Sequence, residues 1–175
     1  MPKPQIKMGT AITNYHQVRF APNVMLSSHA TVCGNVTIGA GTSVFAGTQI
    51  RGDCEPIVIG SNTNIQENSC LHVSMGSKLT IGDSVTIGHN AVLHGCTIED
   101  NVLIGMGAIV MDNAVIEDNC IVAAGAVVTQ GTKTEPGGVY AGCPAKRIKD
   151  TDERLQKDLI NRIVDNYAMY ADWYR

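Results

Sequence analysis

An aliphatic residue recurs at every sixth position over most of the chain, often with a small residue after it. Ile81-Gly82, Ile87-Gly88 and Leu93-His94 step by six. Upstream the beat is carried by Leu26, Val32, Ile38, Val44 and Ile50, then by Ile59, Ile65 and Leu71; downstream it passes through Ile98, Ile104, Val110, Ile116, Val122 and Val128. A period of six matches neither an amphipathic helix, with a period of about 3.6, nor a half-buried strand, with a period of about 2. It matches a solenoid in which each hexapeptide forms one flat side, the aliphatic residue points inward and the next residue lets the chain turn. One coil cannot bury its own inward row, so the coils must stack on a continuous core.

The beat is lengthened twice. Ile59 comes nine residues after Ile50, and Ile81 ten after Leu71. These gaps mark excursions of three residues around Cys54-Glu55-Pro56 and four around Ser74-Met75-Gly76-Ser77, and solenoids place function on such corner loops. The repeat spans residues 24–135. Residues 1–23, with Pro2, Pro4 and Pro22, read as an N-terminal lead-in or cap, and 136–150 as an extended crossing segment full of turn residues. Residues 151–175 read as a C-terminal α-helix that starts at Thr151-Asp152-Glu153-Arg154, with acidic residues in its first turn. Its apolar stripe, Leu155, Leu159, Ile163, Tyr167 and Tyr170, needs a surface to lie on: the solenoid wall or a neighbouring subunit. The polar face mixes Asp and Arg, which argues against a membrane surface.

This repeat resembles the hexapeptide-repeat family. The resemblance implies three sides, 18 residues per coil and left-handed winding, whereas general chirality rules favour right-handed crossovers. The expected fold class is an all-β solenoid: a left-handed parallel β-helix of hexapeptide repeats with a C-terminal α-helix.

Composition narrows the partners. A net charge of -3 and the absence of a basic stripe give no support for nucleic acid or an anionic membrane. Charged residues make up 17% of the chain, against roughly 25% for an average soluble domain, which points to a surface partly covered by another subunit. No apolar run is long enough for a signal peptide or a transmembrane span, so a cytoplasmic location is expected. The six cysteines form no C-x-x-C pair; most are expected to be small buried hydrophobes.

Three of the five histidines fall between Leu71-His72 and Leu93-His94. His72 and His94 each follow the aliphatic residue of their hexapeptide. Their separation of 22 residues, less the four-residue excursion, is one coil, which stacks them at about 4.8 Å. Imidazoles that close can share an ion with bonds of about 2.0–2.1 Å. His89 holds the third place of the preceding side and emerges around a corner. Two chains side by side bring it to the pair, in a head-to-tail contact that closes as a ring, and a three-sided prism makes three-fold closure natural. His16 and His29 lie outside the cluster and read as ordinary polar residues.

The resemblance then narrows to the γ-class carbonic anhydrase family, on Arg51-Gly52-Asp53, Asn64-Ile65-Gln66-Glu67, Leu71-His72-Val73, Ile87-Gly88-His89-Asn90-Ala91, Leu93-His94-Gly95-Cys96, Ile104-Gly105-Met106-Gly107-Ala108 and Gly142-Cys143-Pro144-Ala145-Lys146. It implies that His72, His89 and His94 are metal ligands divided between subunits of a homotrimer. It implies that Arg51 and Asp53 pair across the interface, that Gln66 and Asn64 lie beside the ion's water, and that Tyr140 lines the same site. Arg51 falls on the side of His72, and Gln66 on the side that bears His89.

The implied reaction is hydration of carbon dioxide to bicarbonate by metal-bound hydroxide. Zn2+ suits the three imidazoles, as do Fe2+ and Co2+. Well-known members carry acidic residues in the loop after the first metal histidine, but here that loop is Ser74-Met75-Gly76-Ser77-Lys78. Glu55 and Glu67 are the candidates to replace them as proton carriers. Two alternatives stand: an acyltransferase using an acyl-CoA, which needs one histidine as general base, and a metal-bearing structural homologue with little turnover.

Overall fold

The computed structural model describes residues 18–173. The chain winds as a left-handed parallel β-helix of about seven turns with three flat faces. The first face stacks Gln49–Arg51 of a long strand, then Cys70–His72, Val92–His94, Ile109–Val110 and Val127–Val128. The second stacks Ile57–Ile59 of that same strand, Leu79–Ile81, Thr97–Ile98 and Val115–Ile116. The third runs from Met25–Leu26 through Ser43–Val44, Asn64–Ile65, Thr86–Ile87, Leu103–Ile104 and Ile121–Val122 to Gly138–Ala141. The six-residue beat is the inward row of these faces. Ile50, Leu71, Leu93 and Val110 form its first column, and every one of them is buried in the main apolar cluster. Burying such a side chain contributes roughly 1.5–3 kcal/mol. Leu26 departs from the pattern at 40% exposed, because in the terminal rung no described coil covers it.

Both excursions occur where expected, at the corner between the first and second faces. The one around Cys54-Glu55-Pro56 is a bulge: Gly34 opposes Gly52, whereas Val36 opposes Ile57. The other closes as a tight turn in which the Ser77 N–H donates to the Ser74 carbonyl at 3.0 Å, with Gly76 at φ +79°. The two touch, since the Gly76 N–H donates to Glu55 Oε1 at 3.0 Å. A third irregularity is a shortened step in the beat, five residues from Leu93 to Ile98. Ile98 pairs with Ile81, 17 residues on, so this coil is one residue short of 18, and Gly95 takes up the difference in the left-handed region at φ +50°.

The crossing segment belongs to the solenoid at its start. Val139 and Tyr140 pair in parallel with Ile121 and Val122, and Lys146–Asp150 then reverses antiparallel against Gly138–Ala141. Thr151 Oγ1 donates to the Gly137 carbonyl at 2.9 Å, and Asp152 caps the helix by accepting the Leu155 N–H at 2.7 Å. The helix is not uniform: Gln156–Asn161 is a π-helical turn between Glu153–Leu155 and Arg162–Asp172. The wider turn sets Ile160, five residues after Leu155, onto the buried face. Ile160 packs with Leu103, Ile121 and Val139 of the third face, flanked by Leu155, Leu159 and Ile163, while Tyr167, Tyr170 and Ala171 cover Met25 and Phe45. The surface the stripe needed is the chain's own solenoid wall.

The cysteines depart from expectation. Cys96 and Cys120 are buried and Cys33 half-buried, but Cys54, Cys70 and Cys143 are exposed. Cys70 precedes the inward Leu71 and so points outward by strand alternation, Cys54 sits on an excursion, and Cys143 lies in the reversing turn. Burial pushes the Cys96 thiol up to about 12.

At the corner between the second and third faces, carboxylates bridge successive coils. The N–H groups of Ser61, Asp83 and Asp100 donate to Asp83, Asp100 and Asp118 at 2.6, 2.7 and 2.9 Å. Beside them, burial and then the charges of Asp118, Glu117 and Asp100 raise the carboxyl of Glu99 above its ordinary value. The folded state therefore holds this proton to higher pH than the unfolded state, and its stability falls as pH rises from the ordinary carboxylate range through the raised value. Glu99→Gln is expected to raise the melting temperature by a few degrees at pH 7 and by much less near pH 4. Equal gains at both values in thermal denaturation would contradict this.

Candidate metal centre

The register sets His94 directly on His72 and His72 directly on Arg51. The two imidazoles meet edge to face with centroids 5.0 Å apart, and His72 Nδ1 stands 3.0 Å from His94 Nε2. The far nitrogen of each ring meets a carboxylate: His72 Nε2 lies 3.0 Å from Asp53 Oδ1, and His94 Nδ1 lies 2.7 Å from Asp112 Oδ1. Asp53 also binds the Arg51 guanidinium through its other oxygen, so Arg51 and Asp53 pair within one chain. Burial alone would raise the Asp53 carboxyl, but the hydrogen bonds from His72 and Arg51 and the charge of Arg51 outweigh it and hold the carboxyl below its ordinary value. The pair opens onto a hollow of about 200 Å³ lined by Cys33, Gln49, Arg51 and Cys70.

His89 follows the strand Thr86–Ile87 of the third face, around a corner from the pair. Its Nδ1 lies 2.8 Å from Glu67 Oε2 and its Nε2 lies 3.2 Å from the Tyr167 hydroxyl. This buried Glu67 oxygen makes no hydrogen bond beyond its ion pair with the ring. Gln66 is buried at the same place, with its Nε2 donating to Asn64 Oδ1 at 3.0 Å, and Asn64 Nδ2 donates onward to Thr86 Oγ1 at 2.8 Å. Gln66, His89 and Tyr167 line an apolar groove of about 480 Å³ together with Leu103, Ile121 and Ile163.

Within one chain the His72–His94 pair and His89 stand on different faces. Among the described residues, no three His, Cys, Asp or Glu side chains converge on one point. The donor set nevertheless fits a divalent ion. Two nitrogens on one tetrahedral ion stand about 3.3 Å apart for bonds of 2.0–2.1 Å, close to the 3.0 Å of the His72–His94 pair. Carboxylates beside the far nitrogens are the usual support for metal-binding imidazoles.

The structure does not bring Tyr140 to this place. Tyr140 is 7% exposed, continues the inward column after Val122, and accepts the Glu135 N–H at 2.7 Å. It is a core residue at the end of the solenoid, because its position in the repeat is the inward one. Glu55 is tied to the Gly76 N–H on the excursions, and among the described residues no hydrogen bond or ion pair joins it to a histidine. The His29 ring meets the neighbouring Ser28 hydroxyl at 3.2 Å, and its backbone N–H donates to Ser27 Oγ at 3.3 Å; His16 lies outside the described residues. Two site residues escaped the sequence reading. Tyr167 was read only as part of the helix stripe, and Asp112 has no motif of its own. The signal for Asp112 is its place one rung above Gly95, whose missing side chain leaves an open path to His94.

Comparison with known proteins identifies the family. The family model for the bacterial transferase hexapeptide (six repeats) matches residues 78–108 and 95–130. A mitochondrial gamma carbonic anhydrase of Arabidopsis thaliana is 45% identical over 81% of the chain, which spans 54% of that relative's length. A carbonic anhydrase of Geobacillus kaustophilus is 40% identical over 90% of the chain and 86% of that relative. Among solved structures, a putative acetyltransferase of Bacillus cereus superposes with a TM-score of 0.87 at 36% identity, covering 90% of this chain and 91% of that one. The chain belongs to the hexapeptide-repeat family, in its γ-carbonic anhydrase branch.

Proposed function

We propose that this chain is a metal-dependent hydratase that converts carbon dioxide to bicarbonate in a homotrimer, with His72 and His94 of one subunit and His89 of the next holding each ion. The observation that carries this reading is the facing pair of imidazole nitrogens, each ring backed by a carboxylate, with the third histidine held on a different face of the same chain. The outward surface around the pair supports assembly: Ile109 and Met111 are 37% and 40% exposed on the first face, and Met106 at the adjoining corner is 59% exposed. Together with Cys70 they make an apolar surround that a second copy covers.

Zn2+, Fe2+ and Co2+ all suit three imidazoles. When bound, the ion supplies a Lewis-acidic centre that makes hydroxide available near neutral pH. The chain's own residues do the rest. Asp53 holds His72 and is itself held by Arg51. Asn64 fixes the Gln66 amide through its nitrogen, which leaves the Gln66 oxygen as the end that orients substrate or solvent. The apolar groove behind His89 admits an uncharged substrate such as carbon dioxide in preference to ions. Glu67, beside His89, is the carboxylate best placed to receive the proton in the absence of acidic residues in the loop 74–78.

Metal-loaded protein is expected to accelerate carbon dioxide hydration, and His94→Ala to reduce that rate by on the order of a hundredfold or more while the oligomer persists. Stopped-flow measurement beside metal analysis of protein purified anaerobically without added zinc checks both the activity and the ion. Coenzyme A binding that is indifferent to metal, with no hydration, would favour a transferase instead.

The division of the ligands makes its own prediction. His72→Ala and His89→Ala chains are each expected to be inactive alone. Co-refolded mixtures should regain activity, because a His72→Ala subunit still lends His89 to a neighbour whose His72 and His94 are intact. Mixtures as inactive as the separate variants would show that the three histidines do not form a shared site.

A further inference from the structure

We propose that Asp112 is the positioning residue of His94, fixing the ring as the Nδ1–H tautomer so that the Nε2 lone pair faces His72; the use of that lone pair for a metal rests on the functional reading above. Asp112 Oδ1 stands 2.7 Å from His94 Nδ1, and among the described residues this is the shortest polar contact of the three histidines. A neutral imidazole protonated on one nitrogen presents its lone pair on the other, and the acceptor beside the N–H decides which. Carboxylate acceptors of this kind set ligand orientation in metal sites.

Three features aim the Asp112 carboxylate. Gly95, next to His94, leaves the space open: a Cβ there would stand 2.3 Å from Asp112 Oδ1. The short coil locks Gly95 from both sides, because its N–H donates to the His72 carbonyl at 3.0 Å and its carbonyl accepts the Asn113 N–H at 2.7 Å. The four-residue excursion supplies Ser74, whose hydroxyl donates to Asp112 Oδ2 at 3.4 Å. The excursion, the shortened coil and the glycine thus serve one orientation.

The test reads the tautomer directly. Two-bond ¹H–¹⁵N spectra of the metal-free, ¹⁵N-histidine-labelled oligomer, at a pH where the imidazoles are neutral, should show His94 protonated on Nδ1. In Asp112→Ala both tautomers should appear, and the zinc dissociation constant, measured by chelator competition, should rise roughly 10–100-fold. Asp100→Ala, which removes a carboxylate at a different corner, should change neither. Wild-type His94 protonated on Nε2, or an Asp112→Ala protein with unchanged tautomer and zinc affinity, would overturn the proposal. The wild-type spectrum decides the matter even if the variant fails to fold. Absence of zinc binding by the wild-type oligomer would count against the metal reading, and the tautomer would still judge Asp112.

Discussion

The parallel backbone ladder between successive coils is the interaction on which the rest of this molecule depends. Each N–H of a rung donates to the rung beside it, so side chains one coil apart are neighbours whatever their chemistry. That ladder places Arg51, His72 and His94 in one column. It also buries the aliphatic row that stabilises the coil, so the column cannot slip without exposing the core. A polar site is thereby built on a scaffold whose only requirement of each hexapeptide is one inward aliphatic residue and a corner that can turn.

Small departures from regularity do the aiming. The two excursions at one corner brace each other through Glu55 and the Gly76 N–H. The coil that lacks one residue places Gly95 under Asp112 and so joins a carboxylate to His94. The π-helical turn near the C-terminus seats Ile160 against the third face and carries the helix on to Tyr167 beside His89. Each is a local cost in backbone regularity that positions a side chain at the site.

Much of this was legible from residue order. A period of six defined the coil, and the spacing of His72 and His94 defined their contact, because stacking in a solenoid is arithmetic. The same arithmetic placed Arg51 and Gln66 on the correct faces. What the order of residues could not supply was reach. Asp112 meets His94 only because a side chain is absent at Gly95, and Arg51 meets Asp53 within one chain because the bulge after Gly52 bends the strand. Tyr140 looked like a site residue, but it occupies the inward position of the last coil, where the core claims it. The exposed cysteines show the converse: a small apolar residue is buried only when strand alternation turns it inward, and Cys70 is turned out.

The account's central claim is that one ion unites two half-sites that no single chain brings together. The most direct measurement is a crystal structure of the metal-loaded protein with data collected at the metal's absorption edge. The account predicts one anomalous peak per chain, lying between His72 and His94 of one subunit and His89 of its neighbour around a three-fold axis. A peak elsewhere, or a metal-free oligomer in which His89 of each subunit stays apart from every His72–His94 pair, would contradict it.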